Sequence, residues 1–153
     1  MKIKILLALL LAFSLTNCEK LAPLEPSQNT NKIKYLDRIE IVSYPNAGPG
    51  GTNWDPDSTG PDMYLDIKIG TKDPQTTEVI YQRGQDDLPV IFSFTAANLP
   101  LTNEVWSVSL YDNDRPESPD QLMHTISFSG ANLSNPFISR NGPYNIAVYY
   151  KYK

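Results

Sequence analysis

From Tyr35 onward the chain alternates apolar and polar residues in short runs, and turn-forming residues interrupt them every ten or so positions. A period of two is that of a strand with one buried face, and no window of useful length carries the 3.6-residue period of an amphipathic helix. Strands are expected over residues 35–44, 63–69, 78–82, 89–95, 105–111, 122–128, a short 137–139, and 144–152. Eight such strands in about 120 residues predict an all-β domain, an eight-stranded antiparallel β-sandwich. Alternation also names the core. Leu65, Ile67 and Ile69 share a face opposite Tyr64, Asp66 and Lys68, and Phe92, Phe94, Trp106, Val108 and Leu110 are the main inward candidates. The spacing of Leu36, Ile39 and Ile41 breaks the pattern early in the first strand.

Upstream of the strands the chain opens with Met1-Lys2-Ile3-Lys4, then an apolar run from Ile5 to Leu15. A basic start and a short apolar core are those of a signal peptide over residues 1–17, too short for the roughly 20 residues that span a bilayer as a helix. Leu15-Thr16-Asn17-Cys18 resembles a bacterial lipobox, whose cysteine is acylated, palmitate included, and becomes the new N-terminus. Cys18 is the only cysteine in the chain, so it has no disulfide partner. Several acyl chains hold a protein where a single chain binds only marginally. The expected setting is the bacterial cell envelope, with the protein lipid-anchored at the outer membrane and facing the periplasm or the surface. Residues 18–33 form the lipidated cysteine and a polar, proline-bearing tether. Residues 34–153 form the sandwich domain.

Cleavage after residue 17 removes Lys2 and Lys4, which leaves 13 − 2 = 11 basic residues against 17 acidic ones, a formal charge of −6. That balance excludes nucleic acid as a partner. It also disfavours unassisted attraction to anionic lipid, unless a bound cation reverses the local sign. Lys32, Lys34, Lys151 and Lys153 lie at the two ends of the sequence and read as too scattered for a basic lipid-binding patch.

The acidic residues concentrate in two loops. In Tyr111-Asp112-Asn113-Asp114-Arg115-Pro116-Glu117-Ser118-Pro119-Asp120, three aspartates fall at relative positions 0, +2 and +8 after a strand. Asp112 and Asp114 point the same way in an extended segment, and the two prolines stiffen the turn that returns Asp120. Carboxylates gathered in this way repel unless a cation joins them. Calcium suits them because it accepts six to eight oxygens in loose geometry. The bland reading is a solvated turn, since Asp, Asn, Ser and Pro are common turn formers. A second loop, between the first two strands, brings Asp55, Asp57 and Asp62 in a Gly- and Pro-rich setting beside Trp54.

These residues resemble a C2 domain, the calcium- and phospholipid-binding β-sandwich. Its first calcium loop is matched by Asp55 or Asp57, Gly60 and Pro61-Asp62-Met63-Tyr64-Leu65. Its third is matched by Asp112, Asp114, Arg115 and Asp120, and its middle Asn-Pro-x-Phe signature is echoed by Leu88-Pro89-Val90-Ile91-Phe92. The first loop is longer than the family's, and the Ile-Gly pair that follows the last aspartate is replaced by Leu122-Met123. The resemblance implies a type II-like strand order and side-chain ligation of calcium by Asp62, Asp112, Asp114 and Asp120. It also implies a bridging carboxylate from Asp55 or Asp57 and a backbone oxygen from Asn113. Trp54 and Arg115 are candidate ligand contacts.

His124 is the only histidine and lies mid-strand, so no catalytic triad can be assembled. No Gly-rich loop joins a strand to a helix as phosphate binding requires. Nothing singles out the carboxyl pair a glycosidase needs. The chain therefore reads as a binding module and not an enzyme, attaching to lipid headgroups or to a protein partner in a calcium-dependent way. The alternatives are a calcium-stabilised glycan-binding sandwich, with Trp54 stacking on sugar, and a structural accessory lipoprotein with no ligand.

Overall fold

The broken alternation early in the first strand has a geometric cause. β1 (Lys34–Ser43) pairs antiparallel with β8 (Tyr144–Tyr152), and between Leu36↔Tyr150 and Arg38↔Tyr149 it carries one residue more than its partner. Asp37 is that extra residue. A bulge of this kind re-aims the residues after it, so Leu36, Ile39 and Ile41 all face inward, at 1%, 0% and 0% exposure.

The structure is a computed structural model that describes residues 32–55, 59–81, 83–114, 116 and 119–153. The leader over 1–17, Cys18, the tether up to residue 31, Asp57 and Arg115 lie outside the described residues. Lys32–Lys153 is one compact unit with its own core. Besides β1 and β8 it contains β2 (Met63–Ile69), β3 (Gln75–Thr76), β4 (Val90–Ser93), β5 (Val105–Asp112), β6 (Gln121–Ser129) and β7 (Phe137–Asn141). They form two four-stranded antiparallel sheets, in the orders β4-β1-β8-β7 and β3-β2-β5-β6. This is the eight-stranded antiparallel sandwich expected from the sequence, in which the last strand lies beside the first.

One strand is placed differently from expectation. Of the expected strand 78–82, the described residues 78–81 are not a continuous strand, and the paired residues of that edge are Gln75 and Thr76, opposite Ile67 and Asp66. Thr77 and Leu65 are still joined, by Thr77 N–H to the Leu65 carbonyl at 2.9 Å, and Ile80 bridges Met63. Glu78 and Val79 therefore stand opposite the single Tyr64. The extra residue interrupts the ladder as a bulge, so alternation alone misplaced the paired part by a few residues.

The core lies between the two inner faces. Phe92, Phe94, Trp106, Val108 and Leu110 are all buried, at 8% exposure or less. Trp106 stacks on Phe128 at 6.0 Å between centroids, and Phe128 meets Phe137 at 5.5 Å, which ties β6 of one sheet to β7 of the other. Fully burying one such side chain is worth about 1.5–3 kcal/mol. The Trp106 indole N–H has no hydrogen-bond partner. That costs about 1–3 kcal/mol, set against the complete burial of the ring.

Antiparallel pairing gives the sandwich two chemically distinct ends. β1 leaves and β2 enters at one end, where β5 also finishes and β6 begins, so both acidic loops emerge there. Among the described residues, no helix is long and apolar enough to cross a membrane.

Candidate metal centre

β5 buries alternate residues, Trp106, Val108 and Leu110, and the same inward register continues one step further to Asp112. A strand that delivers apolar side chains to the core thus delivers a carboxylate to its rim. Asp112 is 0% exposed, the one buried polar or charged residue among those described.

The first acidic loop meets Asp112 at the end of the β2/β5 ladder, whose last pair is Met63↔Asp112. One residue before Met63, the Asp62 N–H donates to Asp112 Oδ1 at 2.9 Å, and the Asn113 N–H donates to the Asp62 carbonyl at 2.8 Å. The other carboxylate oxygen, Asp112 Oδ2, is buried with no hydrogen-bond partner. Burial is the largest influence on this carboxyl. Together with the charges of Asp114, Asp55 and Asp62, and against the Asp62 N–H bond, it pushes the pKa up to about 7.

Asp55 arrives from the middle of the loop, and its neighbour Trp54 places it. The Trp54 ring is 6% exposed, its Nε1–H donates to the Pro45 carbonyl at 2.8 Å, and it packs against Gly48, where an added Cβ would lie 3.4 Å from the ring. The side chain offered as a ligand contact is thus engaged in holding the loop. Gly60 closes the loop with φ +98°, a conformation glycine adopts freely, and lies against the backbone of Arg83 and Gly84. Tyr44 donates from its hydroxyl to the Arg83 carbonyl and braces the same corner.

Among the described residues the outcome is a group of three carboxylates, Asp55, Asp112 and Asp114, each offering one oxygen, with all three oxygens within 4.8 Å of one another. Asp62 approaches through its backbone, and its carboxylate is not in that group. Asp120 is not in the group either. Its Oδ2 accepts a 2.7 Å hydrogen bond from the Tyr64 hydroxyl, and it lines a cleft of about 260 Å³ with Tyr64, Asp66, Thr76, Val79 and Asn113. Alternation puts Tyr64 on the face opposite Leu65, Ile67 and Ile69, yet it is buried, at 9% exposure. Its stacking on Tyr111, at 5.2 Å and 9° between planes, is what aims the hydroxyl across the loop. The signal was present in the facing tyrosines at Tyr64↔Tyr111, but only the register exposes it. His124 stacks on Tyr144 at 4.6 Å, and burial lowers its pKa, as for an ordinary strand residue.

The donors fit a hard divalent cation. They are all oxygens, they converge from two loops, and one is a buried oxygen without a partner, an arrangement that costs free energy until a proton or cation satisfies it. Asp55, Asp112 and Asp114 would hold calcium here, and the ion would supply a positive centre able to accept further oxygens. A cavity of about 480 Å³ lies elsewhere, between the β3 and β4 edges, and is lined mainly by apolar and hydroxyl side chains.

No family model and no curated protein matches the chain. Among solved structures it is similar to human GIVD cytosolic phospholipase A2, with 12% identity and a TM-score of 0.49 over 80% of this chain and 17% of that one. It is also similar to a C2 domain of plant extended synaptotagmin 1, with 13% identity and a TM-score of 0.45 over 80% of this chain and 95% of that one. The chain spans under a fifth of the phospholipase's length.

Proposed function

We propose that this protein is a calcium-dependent binding module, held at a bacterial envelope membrane by a lipid on Cys18. It attaches to an anionic ligand through the end of the sandwich that carries Asp55, Asp112 and Asp114. The observation that carries this reading is the fully buried Asp112 carboxylate. One of its oxygens is fixed by the Asp62 N–H, and the other is without a partner beside two more carboxylates. Calcium takes six to eight oxygens. Three carboxylates fill only part of that shell and leave positions for a headgroup phosphate or an acidic side chain. The module binds and performs no chemistry.

Calorimetric titration of calcium into the protein tests the metal, and vesicle sedimentation with and without calcium tests the attachment. Heat that disappears in Asp112→Asn, with calcium-dependent sedimentation of anionic vesicles, is the expected result. No heat sinks the reading. Heat and a melting shift with no ligand would leave calcium as a loop stiffener alone. Sugar stacking on Trp54 receives no support from a ring that is 6% exposed.

A further inference from the structure

The four lysines that look scattered in the sequence stand together in the fold. Ile33 and Lys153 exchange backbone hydrogen bonds at 3.3 and 3.1 Å, Lys34 pairs with Tyr152, and Tyr35 pairs with Lys151. Because the first and last strands are antiparallel neighbours, Lys32, Lys34, Lys151 and Lys153 arrive at one end of one sheet. Lys34 Nζ donates to the Ala131 and Leu133 carbonyls at 3.1 and 3.3 Å and lies 4.6 Å from the Tyr150 ring centroid, and Lys153 Nζ donates to Asn98 Oδ1 and lies 5.1 Å from the ring centroid of Tyr35. Lys151 is paired with Asp37 at 3.0 Å. Ile33 and Tyr152 stand among them, 51% and 54% exposed. Long cationic stems beside exposed Tyr and Ile are the composition of a surface that sits at a headgroup layer.

The lysines and the two aspartate-rich loops stand at opposite ends of the domain. Lys68 is the penultimate residue of β2, and Lys72 follows its end, paired with Glu104 at 3.6 Å. All six described lysines therefore lie in the half away from the acidic loops. Asp55, Asp62, Asp112, Asp114 and Asp120 occupy the other end. The ten residues of β1 separate the two by about 33 Å at ~3.3 Å per residue.

We propose that the Lys32/Lys34/Lys151/Lys153 end is a docking face for the anionic headgroups of the membrane that carries the chain's own anchor, so that the domain stands with its calcium-binding end outward. This rests on the anchoring at Cys18 proposed above. Lys32 follows Cys18 by 32 − 18 = 14 residues, a reach of at most ~50 Å fully extended. The domain is thus confined near that surface whichever way it turns. Asp37 and Glu104 also lie in this half, but the lysines gather here and both aspartate-rich loops lie at the far end, so this end is the one an anionic surface attracts, and each lysine near such a surface favours docking about fivefold. The consequence for the calcium site is direct. Its ligand lies on a facing surface or partner and not in the membrane that holds the anchor.

The sole cysteine allows a test on the mature chain, residues 18–153, coupled through Cys18 to maleimide lipid. Vesicles of phosphatidylcholine alone, or with a quarter phosphatidylglycerol, are compared in EDTA, and amine labelling is read by mass spectrometry. Lys32 and Lys153 are expected to be several-fold less labelled on the anionic vesicles, with the difference abolished at 0.5 M salt and in the Lys32→Glu/Lys153→Glu variant. Equal labelling on both vesicles overturns the proposal. The salt arm decides alone if the variant fails to fold. Calcium titrated onto the same vesicles, and the acyl mass on Cys18 of chain made in bacteria, report separately on the metal and the anchor.

Discussion

The Asp62 N–H donates to Oδ1 of Asp112 at 2.9 Å, across fifty positions of sequence. This hydrogen bond joins the two acidic loops. It orients one oxygen of the buried carboxylate that groups with Asp55 and Asp114, and the other, Oδ2, is buried without a hydrogen-bond partner. The backbone of one loop therefore positions a ligand supplied by the other.

Asp112→Asn keeps an acceptor for the Asp62 N–H and removes a buried charge. In EDTA this variant should melt at or above the wild-type temperature, yet lose the calcium-induced rise in melting temperature. Asp112→Ala leaves the Asp62 N–H without its acceptor and should cost about 1–3 kcal/mol even without calcium. Differential scanning fluorimetry of both variants, with and without calcium, separates the positioning of the loop from metal binding.

The Asp112 carboxyl has its pKa pushed up from 3.8 to about 7, so without metal the folded state holds this proton more tightly than the unfolded state does. The stability it contributes is whole below pH ~4 and is lost as pH rises through about 7. Denaturant melts in EDTA should weaken from pH 5 to pH 8 by roughly 2–4 kcal/mol. Saturating calcium should abolish the fall, because the metal binds the deprotonated form, and calcium affinity should rise over the same window. A flat profile in EDTA would show that Asp112 is already ionised in the metal-free fold.

Tyr64→Phe removes the 2.7 Å hydrogen bond to Asp120 but keeps the stack on Tyr111. A loss of about 1 kcal/mol is expected. Because Asp120 stands outside the three-carboxylate group, calcium affinity should change less than in Asp112→Asn or Asp114→Asn. Calorimetry on Asp120→Asn provides the companion measurement. An Asp120→Asn defect equal to that of Asp112→Asn would put Asp120 in the metal shell.

Gly60→Ala should be strongly destabilising. Its φ of +98° disfavours a side chain, and the new Cβ would lie 2.8 Å from the Arg83 carbonyl oxygen and 2.9 Å from Gly84 N, both backbone atoms with little freedom to yield. A loss of about 2–4 kcal/mol is expected, with weaker calcium binding although no ligand is touched. Gly142→Ala, also at positive φ but with nothing within 4 Å, provides a control for strain without collision.

Much of the fold was legible because a strand's period of two appears directly in its residues. Trp106, Val108 and Leu110 name their own inward face, and continuing that register would have marked Asp112 as buried. Bulges were not legible. The extra residue at Asp37 and the extra residue between Thr77 and Ile80 each shift a ladder by one, and only the partner strand reveals them. At the site, the pairing of Asp112 with Asp114 follows from their spacing. The arrival of Asp55 beside them depends on Trp54 folding inward to donate to Pro45, a contact no local pattern encodes.

Local periodicity and composition, by themselves, determined that this chain builds a two-layer β-sandwich and carries two aspartate-rich loops. Tertiary structure decided which of those acids converge, and that lysines more than a hundred positions apart share one end. The reason is that strand order is a global property. When β8 lies beside β1, the two ends of the domain become neighbours, and residues remote in sequence acquire one another's electrostatic field.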